Sequence, residues 1–273
     1  METNRSLLYH KTLKDDSIME AELAKLAEAN PAEGFWKAYH RLRLAGREWN
    51  HKHVHRVYRA MGLSLRRKGK RRLPERVKIP LDTPALPDHT WSMDFMEDRL
   101  INGNKVRCLN VLDDFNREAL HVEIDRSLKS SRVIWVLNRL MRRRKRPERV
   151  RMDNGPEYIA NIIQDWALGH GIEFAYIQPG KPTQNAYVER YNGSFRRGVL
   201  DAYEFGTLDE VREQAWIWIN DYNHHRPHES LGNLPPVMYA QKVLSEGARP
   251  LGENLSPDQL TLTKEQINQN LYF

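Results

Sequence analysis

The chain has 273 residues, 40% of them hydrophobic, with 43 Lys/Arg against 36 Asp/Glu. That length is ample for a buried core, and the sequence has neither an apolar run long enough to cross a bilayer nor an N-terminal apolar stretch with a cleavage site, so a membrane protein and a secreted one are not indicated. The formal +7 is concentrated: from Trp36 to Lys78 there are 15 Lys/Arg against only Glu48 and Glu75, leaving the remainder net acidic, and such a concentration is the electrostatic footprint of a phosphate-rich partner. Cys108 is the one cysteine, which excludes an intrachain disulfide and a cysteine-based zinc site and suits a reducing cytoplasm.

Ser17-Ile18-Met19-Glu20 reads as a capping box opening a helix with Met19, Leu23 and Leu26 on one face and an end near Asn30-Pro31. A second predicted helix runs from about Gly34 to Leu44, with Phe35, Tyr39 and Leu42 at helical spacing, and Gly46 breaks it. A third, from about Asn50 to Met61, turns Val54, Val57, Tyr58 and Met61 inward and Lys52, Arg56 and Arg59 outward. Three short helices with a basic outer face form a helix-turn-helix-like module, residues 1–62, expected to bind double-stranded DNA through Lys52, Arg56 and Arg59. Residues 63–90 hold four prolines and little periodicity. They read as an extended basic linker whose Arg66, Arg67, Lys68, Lys70, Arg71 and Arg72 lie along a phosphate backbone.

Strand-like runs follow at Trp91 to Glu97, Lys105 to Asp113 and Glu118 to Asp125, the first turn carrying Asn102-Gly103-Asn104. The period then changes. Val133, Leu137, Leu140 and Met141 mark a helix ending in Arg142 to Arg146, and a strand from Arg149 to Asp153 comes next. A helix with Tyr158, Ile162 and Trp166 precedes a strand near Glu173 to Ile177. Three antiparallel strands, then helix, strand, helix, strand, helix, is the element order of the ribonuclease H-like fold, a mixed five-stranded α/β sheet covered on both faces. That order sets the first and fourth strands side by side.

Three acids stand out in this frame: Asp94 in Trp91 to Met96, Asp153 in Asp153-Asn154-Gly155-Pro156-Glu157-Tyr158, and Glu189, with 35 residues between the last two. Strand alternation puts Ser92, Asp94 and Met96 on one face and Trp91, Met93 and Phe95 on the other. Closing three carboxylates to within about 4 Å costs roughly 4 kcal/mol per pair at an intermediate effective dielectric, a repulsion that divalent cations reverse. Oxygen ligands without cysteine suit Mg²⁺ or Mn²⁺, two ions per site, held by Asp94, Asp153 and Glu189. On a helix, Asn185, Glu189, Asn192 and Arg196 fall on one polar stripe opposite Tyr187, Tyr191 and Phe195. The stripe is expected to face metal and DNA, with Arg196 near a phosphate. Asn154 and Gly155 supply a turn where backbone approaches substrate closely. Gln178 to Gln184 reads as a loop ahead of the helix, with Lys181 and Gln184 toward DNA; an ordinary Pro/Gly connector explains it as well. Thr207-Leu208-Asp209-Glu210 caps a helix with Leu208, Val211, Ala215 and Trp218 inward, completing a core of residues 91–244 with C-terminal helices.

On these residues, together with Leu109 to Arg117, Gln178 to Arg197 and Asp221 to His228, the chain resembles the transposase of the two-reading-frame bacterial insertion sequences, within the DDE transposase and retroviral-type integrase superfamily. The resemblance runs from about Gly34 to Tyr239. It implies that Asp94, Asp153 and Glu189 are the catalytic triad, with the family's basic residue seven positions after the glutamate falling on Arg196. It also implies metal-dependent cutting and joining at element ends, a homo-oligomer bridging two DNA ends before target insertion, and a bacterial cytoplasmic location. No sustained heptads precede Gly34, so the chain matches the second reading frame, with the upstream-frame product as a candidate partner. His224, His225 and His228 read as structural or DNA-facing, not as metal ligands. Residues 245–273 form a polar tail whose Asn270-Leu271-Tyr272-Phe273 resembles part of a protease tag or a native ending. A non-catalytic DNA-binding regulator derived from such an enzyme and a ribonuclease H-type nuclease acting on RNA·DNA hybrids are the alternative readings.

Overall fold

The computed structural model describes residues 15–65, 83–178 and 182–247. Its centre is a five-stranded sheet in the order β3-β2-β1-β4-β5, built from β1 (Thr90–Arg99), β2 (Lys105–Asp113), β3 (Ala119–Asp125), β4 (Arg149–Met152) and β5 (Glu173–Tyr176). β1 pairs antiparallel with β2, and β2 with β3, whereas β4 runs parallel to both β1 and β5. This is the mixed ribonuclease H-like sheet that the element order implies. β2 is buried from Cys108 to Asp113 on both faces, because apolar layers cover the sheet on each side.

On one face, Met96, Cys108 and Leu112 pack with Tyr191 and Phe195 of α7 (Ala186–Phe195) and Val211, Ala215 and Tyr222 of α8 (Leu208–His224). On the other, Trp91, Met93, Leu109 and Val111 pack with Val133, Val136 and Leu137 of α4 (Ser130–Met141) and with Tyr158 and Ile163. The alternation expected along β1 is therefore the one observed. α8 is capped as its sequence indicates, Thr207 Oγ1 accepting from the Glu210 amide at 3.3 Å.

Two local expectations are corrected. Ser17 does not cap the first helix: α1 (Ser17–Ala29) follows Asp16 with no side-chain cap bond to it, because the Asp16 carboxylate is drawn to His53 Nε2 and Arg56 Nη2, both at 2.6 Å. The helix expected through Tyr158, Ile162 and Trp166 is two, α5 (Pro156–Ile159) and α6 (Asn161–His170). Ala160 between them is extended, at φ −62° and ψ 139°. That break resets the helical phase, so Ile163 is buried and Ile162 is exposed.

The N-terminal helices α1, α2 (Phe35–Leu44) and α3 (His51–Ala60) enclose a separate small core of Met19, Leu23, Ala38, Leu42, Val54, Val57 and Tyr58. Asn50 caps α3, its side chain accepting from the Lys52 amide at 2.9 Å. No helix among the described residues is long and apolar enough to cross a membrane. The basic linker residues Arg66 to Arg72, Lys181 and the tail beyond Gly247 lie outside the described residues.

Candidate active site

The parallel register of β1 and β4 carries the site. Ser92 pairs with Arg151, so two residues further on Asp94, in the middle of β1, and Asp153, just past the end of β4, continue that register side by side, where strand spacing is about 4.8 Å. A ligand site outside the carboxyl ends of parallel strands is what an open α/β sheet offers.

Asp94 is fixed by two donors. Its Oδ1 accepts from the Phe95 amide at 2.9 Å and its Oδ2 from Asn192 Nδ2 at 2.7 Å. Asn192 is itself held, its Oδ1 accepting from Asn110 Nδ2 at 2.6 Å. The relay Asn110–Asn192–Asp94 ties β2, α7 and β1 together inside the protein. Asn110 is fully buried within the apolar run Leu109 to Leu112. Sequence reasoning passed over it, although an Asn inside a central strand is itself a signal because such a group needs partners. Asp153 Oδ1 accepts from the Gly155 amide at 3.1 Å, and a Cβ on Gly155 would sit 3.1 Å from that oxygen. Glycine is the residue that lets this turn close on the carboxylate.

Burial raises the Asp94 carboxyl to about 6, and the neighbouring Asp153 and, more weakly, Glu189 push it the same way, against the Phe95 and Asn192 bonds that favour the charged form. Burial also raises Glu189. The three acids thus lie within electrostatic reach of one another. They are not closed around a common centre: among the described residues no group of three His, Cys, Asp or Glu is arranged to hold an ion. Glu189 is solvent-exposed on α7, and the like charges repel one another. The donor set nevertheless fits a hard divalent cation: all its ligating atoms are carboxylate oxygens, and Asp94 is held in an unfavourable field that a cation would relieve.

The polar stripe proves to point largely inward. Asn185 is buried, donating to the Met93 carbonyl at 3.3 Å, and Asn192 is buried against Asp94. Both are held against β1 while the Tyr191–Phe195 edge packs on the core. Arg196 is committed to the far end of β1, donating to the Glu97 carbonyl at 2.8 Å and to Asp98 at 3.4 Å. Gln184 accepts from the Gln178 amide at 2.8 Å, and Asn154, exposed, donates to the Ile177 carbonyl at 3.3 Å. On the helical module, Lys52, Arg56 and Arg59 line one open groove with His55, Arg56 being anchored by Asp16. His228 is buried against the Tyr222 ring at 4.7 Å, and burial with nearby Lys37 and Arg226 pushes it down to about 3, so it stays neutral and serves packing.

The sequence matches two integrase-core domain models, over residues 84–182 and 170–236. It is 38% identical over 243 residues to the 31.7 kDa protein of insertion element IS407 from Burkholderia multivorans, covering 88% of this chain and 87% of that one. It is 36% identical over 230 residues to the 39.2 kDa protein of insertion element IS476 from Xanthomonas euvesicatoria, covering 84% of this chain and 66% of that longer one. In three dimensions, a chain of the simian T-cell lymphotropic virus intasome, solved in complex with a PP2A regulatory subunit, superposes with a TM-score of 0.53 at 17% identity, over 86% of this chain and 78% of that one; this likeness speaks to the fold. With the integrase-core models running from the start of the sheet into α9 (Pro236–Glu246) and an insertion-element relative matched over most of its length, the chain belongs to the integrase-core family of insertion-element proteins, within the DDE transposase and retroviral-type integrase superfamily.

Proposed function

We propose that this protein is a transposase that cuts and joins DNA strands at insertion-element ends, using Asp94, Asp153 and Glu189. The observation that supports the reading is the β1–β4 register, which continues to Asp94 within β1 beside Asp153 just past β4, with Glu189 of α7 acting on the same field. These three carboxylates would hold Mg²⁺ or Mn²⁺, which supply, when bound, activation of the attacking oxygen and charge stabilisation of the leaving one. The protein's own part is orientation. The Phe95 amide and Asn192 hold the Asp94 carboxylate, Gly155 closes the turn on Asp153, and the Tyr191–Phe195 edge seats α7, which carries Glu189. Lys52, Arg56 and Arg59 on α3, together with Lys181 and Gln184, supply contacts to the duplex. The working form is a homo-oligomer bridging two ends in the bacterial cytoplasm, with the upstream-frame product as an accessory partner.

Labelled element-end duplex incubated with Mg²⁺ should be nicked and joined by the wild-type chain, with or without the upstream product, and Asp153→Asn should lower the rate at least about hundredfold. Equal activity in the two proteins would refute the reading. The basic groove on α3 lined by Lys52, Arg56 and Arg59 suits one competitor, a non-catalytic DNA-binding regulator. It predicts binding of the same duplex with no metal-dependent product under any of these conditions.

A further inference from the structure

The three-helix module and the sheet domain have separate apolar cores that share no residue. Among the described residues, charged side chains link them. Arg41 on α2 uses its whole guanidinium: Nε and Nη2 donate to Glu33 at 2.8 and 3.1 Å, Nη1 and Nη2 to Asp221 of α8 at 2.8 and 2.5 Å, and Nη2 also to Asn30 at 3.1 Å. Glu33 is shared, since Arg226 Nη1 lies 2.9 Å from its Oε1. Lys37 Nζ donates to the Pro227 carbonyl at 2.7 Å. The Arg41 and Glu33 side chains are only 7% and 4% exposed, and Arg226 only 11%. Desolvating such charges costs several kcal/mol per ion, and apolar packing would do as well or better for stability alone. What a planar, bidentate fork adds is a unique geometry.

The far side of this contact is continuous with the candidate active site. Asp221 precedes Tyr222, whose ring packs edge-on against Tyr191 at 5.0 Å, and Tyr191 lies on α7 two residues after Glu189. Asn223, next along α8, clamps both the amide and the carbonyl of Ala119 in β3, each at 2.9 Å. The Asp221-to-His228 segment is thus pinned to the sheet on one side and gripped by the module on the other.

We propose that Glu33, Arg41, Asp221 and Arg226 form an ionic lock that seats the helical module in one position on the sheet domain, so that the Arg226-Pro227-His228 segment is a docking element and its residues are positioning residues for the reaction. The part of this that concerns DNA rests on the function proposed above: α3 and the carboxylates would engage one duplex at a fixed separation. The lock itself does not depend on that function.

Hydrogen exchange on the full chain separates the two. Arg41→Ala and Asp221→Ala should each speed exchange in both α2 and the carboxyl end of α8 by at least about tenfold, while strands β1 to β3 keep their protection. The double variant should be little worse than either single, because both changes open one contact. Lys37→Met, which removes only the bond to the Pro227 carbonyl, should give a smaller loss in the same two segments, and this readout survives if either alanine variant fails to fold. Loss confined to α2 in the Arg41 variant, or strictly additive losses in the double, would overturn the lock. On element-end duplex, the Asp221→Ala protein should bind within about threefold of wild type, since α3 is untouched, yet cut at least about tenfold more slowly. Unchanged cutting alongside increased exchange would overturn the positioning role. A wild-type chain that never cuts would refute the enzymatic reading, and the exchange result would still decide the lock.

Discussion

Asp94→Asn is expected to make the metal-free protein more stable at pH 8 while lowering metal-dependent strand cleavage at least about hundredfold. Burial and the Asp153 and Glu189 charges raise the folded-state carboxyl from 3.8 to about 6. Between those values the folded chain binds more protons than the unfolded one, so this group's contribution to stability falls as pH rises through the window and stays at its low level above it. The full linkage is discounted to about 1–2 kcal/mol because an amide cannot accept from both the Phe95 amide and Asn192 as the carboxylate does. Thermal unfolding of the two proteins at pH 4 and pH 8 checks the sign: a gain at pH 8 that disappears by pH 4 is the expected result. Added Mg²⁺ should raise the midpoint of wild type and leave Asp94→Asn unmoved.

Gly198→Val carries the largest expected loss of stability in the sheet domain. Gly198 lies in the π-turn Arg196–Leu200 that ends α7, and a Cβ there would collide with Trp218 Nε1 and sit 2.9 and 3.0 Å from Trp218 Cδ1 and Cε2. The indole is held by three rings. It stands edge-on to Tyr191 and Phe195 at 5.6 and 5.4 Å and stacks on Tyr222 at 5.0 Å. Overpacking of this kind costs about 3 kcal/mol, or roughly 6–12 °C in the unfolding midpoint for a domain of this size. Gly198→Val combined with Trp218→Leu should recover part of the loss by making room. A single variant as stable as wild type would show that α7 and α8 slide freely, contrary to the packing that seats Glu189.

The sheet was legible because its strands alternate cleanly and because a mixed order demands that β1 and β4 be neighbours; the placement of Asp94 beside Asp153 follows from that. What the sequence hid is the use of polar side chains inside. Asn192 falls on a polar helical stripe, its partner Asn110 is 82 residues away, and no local pattern announces a bond between them. Arg41 counted toward a basic surface of +13, yet it is buried between Glu33 and Asp221. Arg144, within the run Arg142 to Arg146, is likewise turned inward to Asp88 and Glu118 at 2.8 and 2.9 Å. Composition gives the charge of a segment, and only the fold decides which cations face solvent. The break at Ala160 escaped for a simpler reason: Ala is a strong helix former, and tertiary packing overrode it.

Anomalous diffraction from crystals grown with Mn²⁺ tests most directly whether the three acids share one metal site. The expected result is an ion bound by carboxylate oxygens of Asp94 and Asp153, with Glu189 turned toward it, and loss of that ion in Asp153→Asn. Manganese bound elsewhere, or retained at the strand ends in the variant, would contradict a site built from Asp94, Asp153 and Glu189.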